Sequence, residues 1–259
     1  MDEATAHDLV DALHSSQSTA ALTGAGISVP SGVPDFRGEN GLWHRYAPEI
    51  YASYAQFCKD PSYFWEMHLE IMNSLHQAIP NPAHEALVSL ERMHFLEGII
   101  TQNIDGLHQK AGSKVVYELH GSNESCSCIT CGRTYSMQDI SSHLLSFERS
   151  RLISLMRSGK EIPLCECGGF IKPDVVLFGE MLPVEAVHAA EELVHSCDLL
   201  LVIGSSLFVQ PAATLPLIAQ ETGSKLFVIN KDPGPLDSLA DGVLLGDAEY
   251  ILPQILDQL

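Results

Sequence analysis

The chain has 259 residues, of which 46% are hydrophobic and 18% charged, so it is long and apolar enough to bury a sizeable core. Its 14 basic and 33 acidic side chains give a net charge of −19, which opposes direct binding to nucleic acid or to an anionic membrane. No apolar run approaches the ~18 residues of a membrane span, and the acidic first residues are not a secretory signal. We therefore expect a cytoplasmic protein that is a monomer, with an acidic surface that keeps it soluble and also suits a cationic partner such as a Lys-rich peptide.

Helices and buried strands alternate along most of the chain. A predicted helix over 4–16 leads directly into an apolar strand at 19–22, and an aromatic-rich helical stretch covers 48–78. Asn81-Pro82 predicts the start of another helix, because proline is tolerated in the first turn. The later elements are strands at 98–101 and 115–119, a helix over 183–195, a strand at 198–203, a helix near 212–221, a strand at 225–229 and a closing helix over 249–259.

This alternation predicts the fold class. The strands are near-continuous apolar runs, which indicates an α/β fold with a Rossmann-type parallel sheet covered by helices on both faces. Apolar periodicity fades between His120 and Gly169, where Ser, Cys and Thr dominate, so this stretch is a candidate inserted module. From Val175 onward the α/β pattern resumes.

A glycine turn follows the first strand. Gly24-Ala25-Gly26 lets backbone N–H groups approach a pyrophosphate, but a full dinucleotide fingerprint needs Gly or Ala where Val29 stands. From these residues alone, a plain tight turn between strand and helix is about as consistent as a pyrophosphate-binding turn. Two further strand ends carry small or polar residues, Gly204-Ser205-Ser206 and Asn230-Lys231, and ligands of open α/β sheets bind at such strand ends.

Four cysteines of the inserted module have metal-ligand spacing. Cys128-x-x-Cys131 and Cys165-x-Cys167 are two pairs whose convergence gives the closed tetrahedral thiolate site typical of structural zinc. The second pair has one intervening residue and the first pair has two, so the second pair holds its two ligands closer together along the chain. Cys126 is a spare thiol that can exchange into the set, and reduced thiols without a metal are the alternative interpretation.

Four more segments make the interpretation specific. They are 32–37 (GVPDFR), 101–108 (TQNIDGLH), 118–122 (ELHGS) and 173–180 (PDVVLFGE). With the glycine turn ahead of them and 204–206 behind, in this order, the chain resembles the sirtuin family of NAD-dependent protein lysine deacylases from about Leu9 to its end. In that family the second cysteine pair has two intervening residues, whereas here it has one.

The resemblance implies two units with NAD and an acyl-lysine peptide between them. The large Rossmann-type domain covers about 1–42, 80–123 and 170–259. The small domain comprises a helical segment at about 43–79 and a zinc module at about 124–169.

The resemblance also implies the chemistry. The acyl oxygen attacks the ribose carbon that bears nicotinamide, and His120 then acts as general base for a ribose hydroxyl, with Asn103 orienting ribose and a water. Asp105 accepts from the nicotinamide carboxamide, and Phe36 and Arg37 position the cofactor and shield the site from water. His108 supports the loop and does not touch substrate.

Two residue sets follow from the same resemblance. The expected NAD contacts are Gly24, Ala25, Gly26, Ser28, Phe36, Arg37, Gln102, Asn103, Ile104, Asp105, Gly204, Ser205, Ser206, Asn230, Lys231 and Ala248. The expected substrate contacts are Val176, Leu177, Phe178, Gly179 and Glu180, which bind a peptide through main-chain hydrogen bonds.

The expected activity is lysine deacetylation with transfer of the acyl group to ADP-ribose. Family members that remove succinyl groups carry Tyr and Arg on one helix, and an ungapped placement puts His68 and Ile71 at those positions, which favours acetyl or apolar acyl groups. Mono-ADP-ribosylation or NAD hydrolysis is one alternative function. A noncatalytic NAD-sensing module is the other.

Overall fold

The computed structural model describes residues 2–38 and 41–259. Most elements lie where the sequence predicts them, with ends that differ by at most three residues. In chain order they are α1 (Glu3–Ser15), β1 (Thr19–Thr23), α2 (Pro48–Tyr51), α3 (Tyr54–Lys59), α4 (Ser62–Gln77), α5 (Pro82–Arg92), β2 (Gly98–Thr101), α6 (Leu107–Ala111), β3 (Val116–Glu118), β4 (Gly121–Cys128), β5 (Thr134–Ser136), α7 (Met137–Leu144), α8 (Arg149–Arg157), β6 (Ile171–Val175), α9 (Val184–Ser196), β7 (Leu199–Ile203), α10 (Leu215–Glu221), β8 (Lys225–Asn230), β9 (Gly242–Leu245) and α11 (Ala248–Leu256).

Six strands form a parallel sheet in the order β3-β2-β1-β7-β8-β9. From the centre the chain runs outward through β1, β2 and β3 on one side and through β7, β8 and β9 on the other. The strand order therefore reverses between β1 and β7, as in doubly wound dinucleotide-binding folds, and a crevice opens at their carboxyl ends. Both strands are buried along their whole length.

Helices cover both faces of this sheet, which confirms the predicted fold class. Successive residues of β7 alternate between two cores: Leu201 packs with α1, α5 and α11, whereas Leu200 and Val202 pack with α9 and α10. This period of two is the consequence of side chains pointing to opposite faces of a strand. None of the helices in residues 2–38 and 41–259 has the length and apolar character of a membrane span.

A second, smaller core lies beside the sheet. β5, β4 and β6 form a three-stranded antiparallel sheet, and Phe57, Trp65 and Met72 from the helices after residue 48 share a hydrophobic cluster with Met137 and Met156 of α7 and α8. The sequence predicts none of the elements from β4 to β6 and no strand at β9. Most of them are short, so their apolar pattern is too brief to show a period, and in the longer β4 the cysteines are the only apolar residues.

Candidate active site

The glycine turn after β1 packs directly against the end of β7. Gly24 donates from its backbone N–H to Ile203 O at 3.0 Å, and Gly26 donates to Gly204 O at 2.8 Å. A Cβ on either Gly24 or Gly26 would lie 2.8 Å from the Gly204 carbonyl oxygen. These glycines are thus required by the close approach of two strand ends, and their N–H groups are engaged within the protein. A short 3₁₀ turn over Ala25–Ile27, not an α-helix, continues the chain.

Side-chain amides join the strand ends across this crevice. Gln102, after β2, donates from Nε2 to Ser205 Oγ at 2.8 Å. Asn230, the last residue of β8, donates from Nδ2 to Ser205 O at 3.2 Å. Asn103 is buried and donates from Nδ2 to Gly24 O at 3.1 Å and to Ser28 Oγ at 3.2 Å. These hydrogen-bonded side chains form one continuous polar floor at the bottom of the crevice. Ser206 and Lys231 are exposed beside it.

A largely apolar cavity opens beside this floor. Asn103 and Asp105 are its polar lining residues, and the other residues around it are Ala25, Val33, Pro34, Phe36, Ile71, Leu75 and Ile104. Burial raises the pKa of Asp105, although its Oδ1 accepts the N–H of Leu107 at 2.9 Å. This contact forms the turn that opens α6, and it leaves the carboxyl group of Asp105 at the cavity wall. A cavity with one amide and one carboxyl group suits a flat ring that carries a carboxamide.

His120 stands between β3 and β4 at the edge of the crevice. Its Nδ1 lies 2.9 Å from the carbonyl oxygen of Gln102, which accepts only, so Nδ1 carries the proton and Nε2 keeps its lone pair. Burial lowers the pKa of His120, and the cation of Arg37 lowers it further, while the bond to Gln102 opposes both. The imidazole is thus neutral near pH 7 with Nε2 able to accept a proton.

Phe36 and Arg37 belong to the segment that leads to the second core. Phe36 packs against Trp43 with ring centroids 4.9 Å apart, and Trp43 lies 6.2 Å from the ring of Phe178. Phe36 is therefore part of a row of aromatic side chains beside the cavity. Burial lowers the pKa of Arg37.

The predicted substrate segment runs along the second core and is anchored at both edges. Val176 donates from its N–H to His120 O at 2.8 Å, and Phe178 donates to Ala52 O at 2.8 Å. Phe178 is 46% exposed, so much of its ring faces outward. The carboxylate of Glu180 accepts the N–H of Leu177 at 2.7 Å and is thus engaged within the segment. Gly179 has a φ of 92°, the left-handed conformation that turns the chain here.

The four cysteines expected to bind zinc lie together. Their sulfur atoms are all within 4.8 Å of one another, with Cys128 and Cys167 at 3.5 Å and Cys131 and Cys165 at 3.5 Å. Zn–S bonds of ~2.3 Å in a tetrahedron separate sulfur pairs by roughly 3.8 Å, so the set fits one zinc ion. Gly169, which follows the second pair, lies directly against the cluster, because a Cβ there would lie 2.7 Å from Cys128 Sγ.

The fifth cysteine of this module is not part of the cluster. Cys126 is fully buried, its thiol faces Met137 Sδ at 3.8 Å, and burial raises its pKa to about 12. A residue that the sequence analysis missed lies at the cluster instead: the Tyr135 hydroxyl donates to Cys165 Sγ at 3.0 Å. Only the pairing of β4 with β5 brings Tyr135 to this thiol, so no spacing rule reveals it.

Two buried histidines support the crevice from behind. His108 Nε2 lies 2.9 Å from Thr23 Oγ1, which donates to Thr101 Oγ1, and Thr101 in turn accepts the N–H of Asn103. His108 therefore supports the loop, as predicted. The second, His84, lies 3.4 Å from Ser28 Oγ and was missed, since its only local signal is the cap at the start of α5. Ala248, expected at the cofactor, is buried at the start of α11.

Comparisons with known proteins agree with this geometry. The model of the Sir2 family matches residues 24–211. The NAD-dependent protein deacetylase of Saccharolobus solfataricus is 47% identical over 249 residues, which cover 96% of this chain and 95% of that protein. The NAD-dependent protein deacylase 2 of Archaeoglobus fulgidus is 44% identical over 248 residues, 95% and 92% of the two chains. A solved Sir2 complex with p53 peptide and NAD+ superimposes with a TM-score of 0.85 at 38% identity, over 97% of each chain.

Proposed function

The chain belongs to the Sir2 family, the sirtuins, and we propose that it is an NAD-dependent protein lysine deacetylase in which His120 is the general base. One observation carries the assignment of the base: His120 Nδ1 is bound to Gln102 O while the substrate segment is bound to the backbone of the same histidine through Val176. The proton acceptor is therefore tied both to the loop after β2, next to Asn103, and to the peptide segment. This arrangement brings one neutral imidazole to the place where the two substrates meet.

The residues of the crevice fit NAD. Asn103 and Asp105 supply an amide and a carboxyl group at the apolar cavity, a combination suited to nicotinamide. The ends of β1, β7 and β8 form the crevice in which dinucleotides bind to sheets of this order. When bound, NAD supplies the ribose carbon that accepts the acyl group and nicotinamide as the leaving group.

The chain's own residues would then orient the ribose of NAD and remove a proton from one of its hydroxyl groups. Asn103 is held rigidly by Gly24 and Ser28, so its remaining polar atom is available to orient a ribose hydroxyl or a water. His120 Nε2 accepts the proton of a ribose hydroxyl, which makes that oxygen the nucleophile toward the acyl carbon. Phe36 and its neighbour Trp43 exclude water from the cavity, which favours transfer of the acyl group over hydrolysis.

We also propose the division into a large Rossmann-type domain and a small domain with a structural zinc ion. The separate hydrophobic cluster of the small region supports this division. Ile171 and Val175 of β6 pack in that cluster. We therefore place the point where the chain returns to the large domain after residue 175 and not near 170. Zinc, when bound by the four thiolates, would fix the loops that end at Cys131 and Cys167.

We infer that acyl-lysine peptides or proteins are the substrates and that the protein acts as a monomer. The net charge of −19 supports a basic peptide as partner and disfavours nucleic acid. Transfer of ADP-ribose to a protein, or simple hydrolysis of NAD, is the second candidate, because both use the same cleavage of NAD. The neutral Nε2 of His120 favours deacetylation, since breaking the bond to nicotinamide needs no base.

One assay separates these functions. Purified protein is incubated with an acetyl-lysine peptide and NAD, and the products are followed by mass spectrometry. Deacetylation predicts nicotinamide, deacetylated peptide and O-acetyl-ADP-ribose in equal amounts. ADP-ribosylated peptide, or nicotinamide formed equally fast without acetyl peptide, would contradict the proposal, as would binding of NAD with no product at all.

A further inference from the structure

Lys172 is a buried lysine behind the substrate segment, and none of the steps above uses it. Its side chain is only 11% exposed. Nζ donates to Pro173 O at 2.9 Å and to Val175 O at 2.7 Å, and it lies 3.2 Å from Glu180 Oε2. Three acceptors match the three protons of an ammonium group, so this charge is buried with its hydrogen bonds satisfied.

Glu180, at the other end of the segment, binds both Lys172 and the main chain of Leu177. Its Oε2 accepts the N–H of Leu177 at 2.7 Å, and its own N–H donates to Leu177 O at 3.0 Å. The ion pair therefore ties residue 172 to residue 180 and holds main-chain groups at 173, 175 and 177. Charge-assisted bonds of this kind are stronger than neutral ones and fix geometry more tightly.

Val175 and Leu177 pack in the second hydrophobic core, but the side of the segment that carries Lys172 and Glu180 is not packed in this way. An open cavity of about 290 Å³ lies there, and Lys172 and Glu180 line it together with Tyr54, Asp174 and Met181. Since this space is not filled by side chains, the ion pair itself supports the segment across it. Close packing is what normally fixes a loop of this kind.

The opposite edge of the segment faces the catalytic histidine. Val176 N–H is bound to His120 O, as described, and among residues 2–38 and 41–259 no donor pairs with the Val176 carbonyl oxygen. Free main-chain groups on an extended segment are what a peptide binds when it adds as a strand. A shift of the segment would therefore change peptide binding before it changed the NAD crevice.

We propose that Lys172 is a positioning residue for the acyl-lysine substrate, acting through its ion pair with Glu180 on the main chain of Val176 and Leu177. This inference rests on the proposed deacetylase function and deepens it. Lys172 does not touch the peptide. It sets where the peptide-binding segment stands relative to His120.

The test compares binding of the two substrates in matched variants. Lys172→Met keeps the apolar stem and removes the charge, and Lys225→Met, at the exposed start of β8, is the control for the same exchange. Affinity is measured by fluorescence anisotropy with a fluorescein-labelled acetyl-lysine peptide and by calorimetry with NAD. We expect Lys172→Met to weaken peptide binding by about 10-fold or more and to leave NAD binding within about 2-fold, because only the peptide segment loses its support.

A second variant keeps the test decisive if the single exchange leaves too little folded protein. Lys172→Met combined with Glu180→Gln leaves no unpaired buried charge, and the amide oxygen introduced by the second exchange still accepts the N–H of Leu177. We expect this double variant to fold, to bind peptide weakly and to show faster hydrogen exchange of the amides between 173 and 180. Lys172→Arg should recover part of the peptide affinity.

The outcomes are distinct. Unchanged peptide affinity in Lys172→Met and in the double variant overturns the inference. A smaller fraction of active protein whose affinities for peptide and NAD are both unchanged also overturns it, because the ion pair would then be merely structural. Wild-type protein that binds the peptide but does not deacetylate it contradicts the proposed function instead. The affinity comparison still decides the role of Lys172 in that case.

Discussion

The Nδ1 atom of His120 lies 2.9 Å from the carbonyl oxygen of Gln102, and this single contact determines which ring nitrogen is the base. A carbonyl oxygen accepts only, so the proton stays on Nδ1 and the lone pair on Nε2. Gln102 also donates from its side chain to Ser205. The tautomer of the base is thereby linked to the same strand ends that form the NAD crevice.

The first prediction is that His120→Ala abolishes most of the deacetylation while the protein still binds NAD. Removal of a general base typically costs ~10²- to 10⁴-fold in rate, and no contact of the apolar cavity is lost with the imidazole. The measurements are kcat for an acetyl-lysine peptide and the Kd of NAD by calorimetry. Near-normal kcat would show that another group accepts the proton.

The second prediction concerns the pH dependence of the rate. Burial lowers the pKa of His120, and Arg37 lowers it further, so the active neutral form persists below the ordinary value of ~6.5. We expect kcat/KM to be flat from neutral pH upward and to fall only below that value, with the midpoint of the fall lowered accordingly. Arg37→Gln removes the cation and should move this midpoint toward higher pH. A midpoint above ~6.5 in the wild type, or a move toward lower pH in the variant, would contradict the assignment.

The third prediction separates two buried cysteines of the zinc module, Cys126 and Cys165. Purified protein should contain about one zinc per chain, because four thiolates at tetrahedral spacing form a closed site. Cys126→Ser should retain the metal, since that thiol faces Met137, whereas Cys165→Ser should lose it and melt at lower temperature. Atomic emission and thermal denaturation provide the readouts. Zinc loss in the Cys126 variant alone would mean that the ligand set is misassigned.

The fold was predictable where the sequence repeats a simple pattern and not where contact is long-range. β1 and β7 are uninterrupted apolar runs, so a buried parallel sheet follows from them directly. β9 has four residues, one of them glycine, and offers too little pattern. α7 and α8 are short as well, and in a module rich in Ser and Cys their apolar faces are hard to detect.

The candidate site shows the same division. From the sequence, Gly24 and Gly26 are explained as room for phosphate, but the structure gives their reason as the approach of Gly204, which only sheet topology brings near. Tyr135 and Lys172 were missed because each acts through a neighbour on another turn or strand. Four cysteines were found because their spacing along the chain is itself a metal-site signal.

The fourth prediction is a loss of stability in acid that comes from three buried histidines. Burial lowers the pKa of His68 and of His84 to about 4 and that of His108 to about 3. The unfolded chain takes up protons near pH ~6.5, whereas the folded protein does not until lower pH, so stability is complete above ~6.5 and falls as the pH drops toward ~4. Three such groups give a slope of at most ~4 kcal/mol per pH unit.

The control for this prediction removes one of the three protons. His68 stacks on Phe64 at 5.0 Å, with the side chain of Asn123 as its polar neighbour, so His68→Leu replaces one titrating group with an apolar side chain. Urea unfolding between pH ~4.5 and ~7.5 should give a slope that is shallower for the variant by at most ~1.4 kcal/mol per pH unit, the contribution of one proton. Zinc release affects both proteins equally. Equal slopes would show that His68 is not neutral in the folded state.

The last prediction is that acetyl-lysine is preferred over succinyl-lysine by about 10²-fold or more in kcat/KM, the scale of one lost charged hydrogen-bond pair. A distal carboxylate needs a cation, and α4 offers none toward the site. His68 is buried and neutral, and Ile71 lines the apolar cavity beside Asn103.

The arginines that bind α4 are already paired. Glu70 engages both Arg45 and Arg149, and Glu66 engages Arg157, so none of these guanidinium groups is available to a bound acid without breaking an existing pair. An apolar extension of the acyl group meets no such obstacle, and propionyl-lysine should therefore be turned over within about 10-fold of acetyl-lysine. The measurement is kcat/KM for acetyl, propionyl and succinyl forms of one peptide under the same NAD concentration. Succinyl turnover equal to acetyl turnover would mean that the acyl group lies against side chains other than those of α4, with a cation among them.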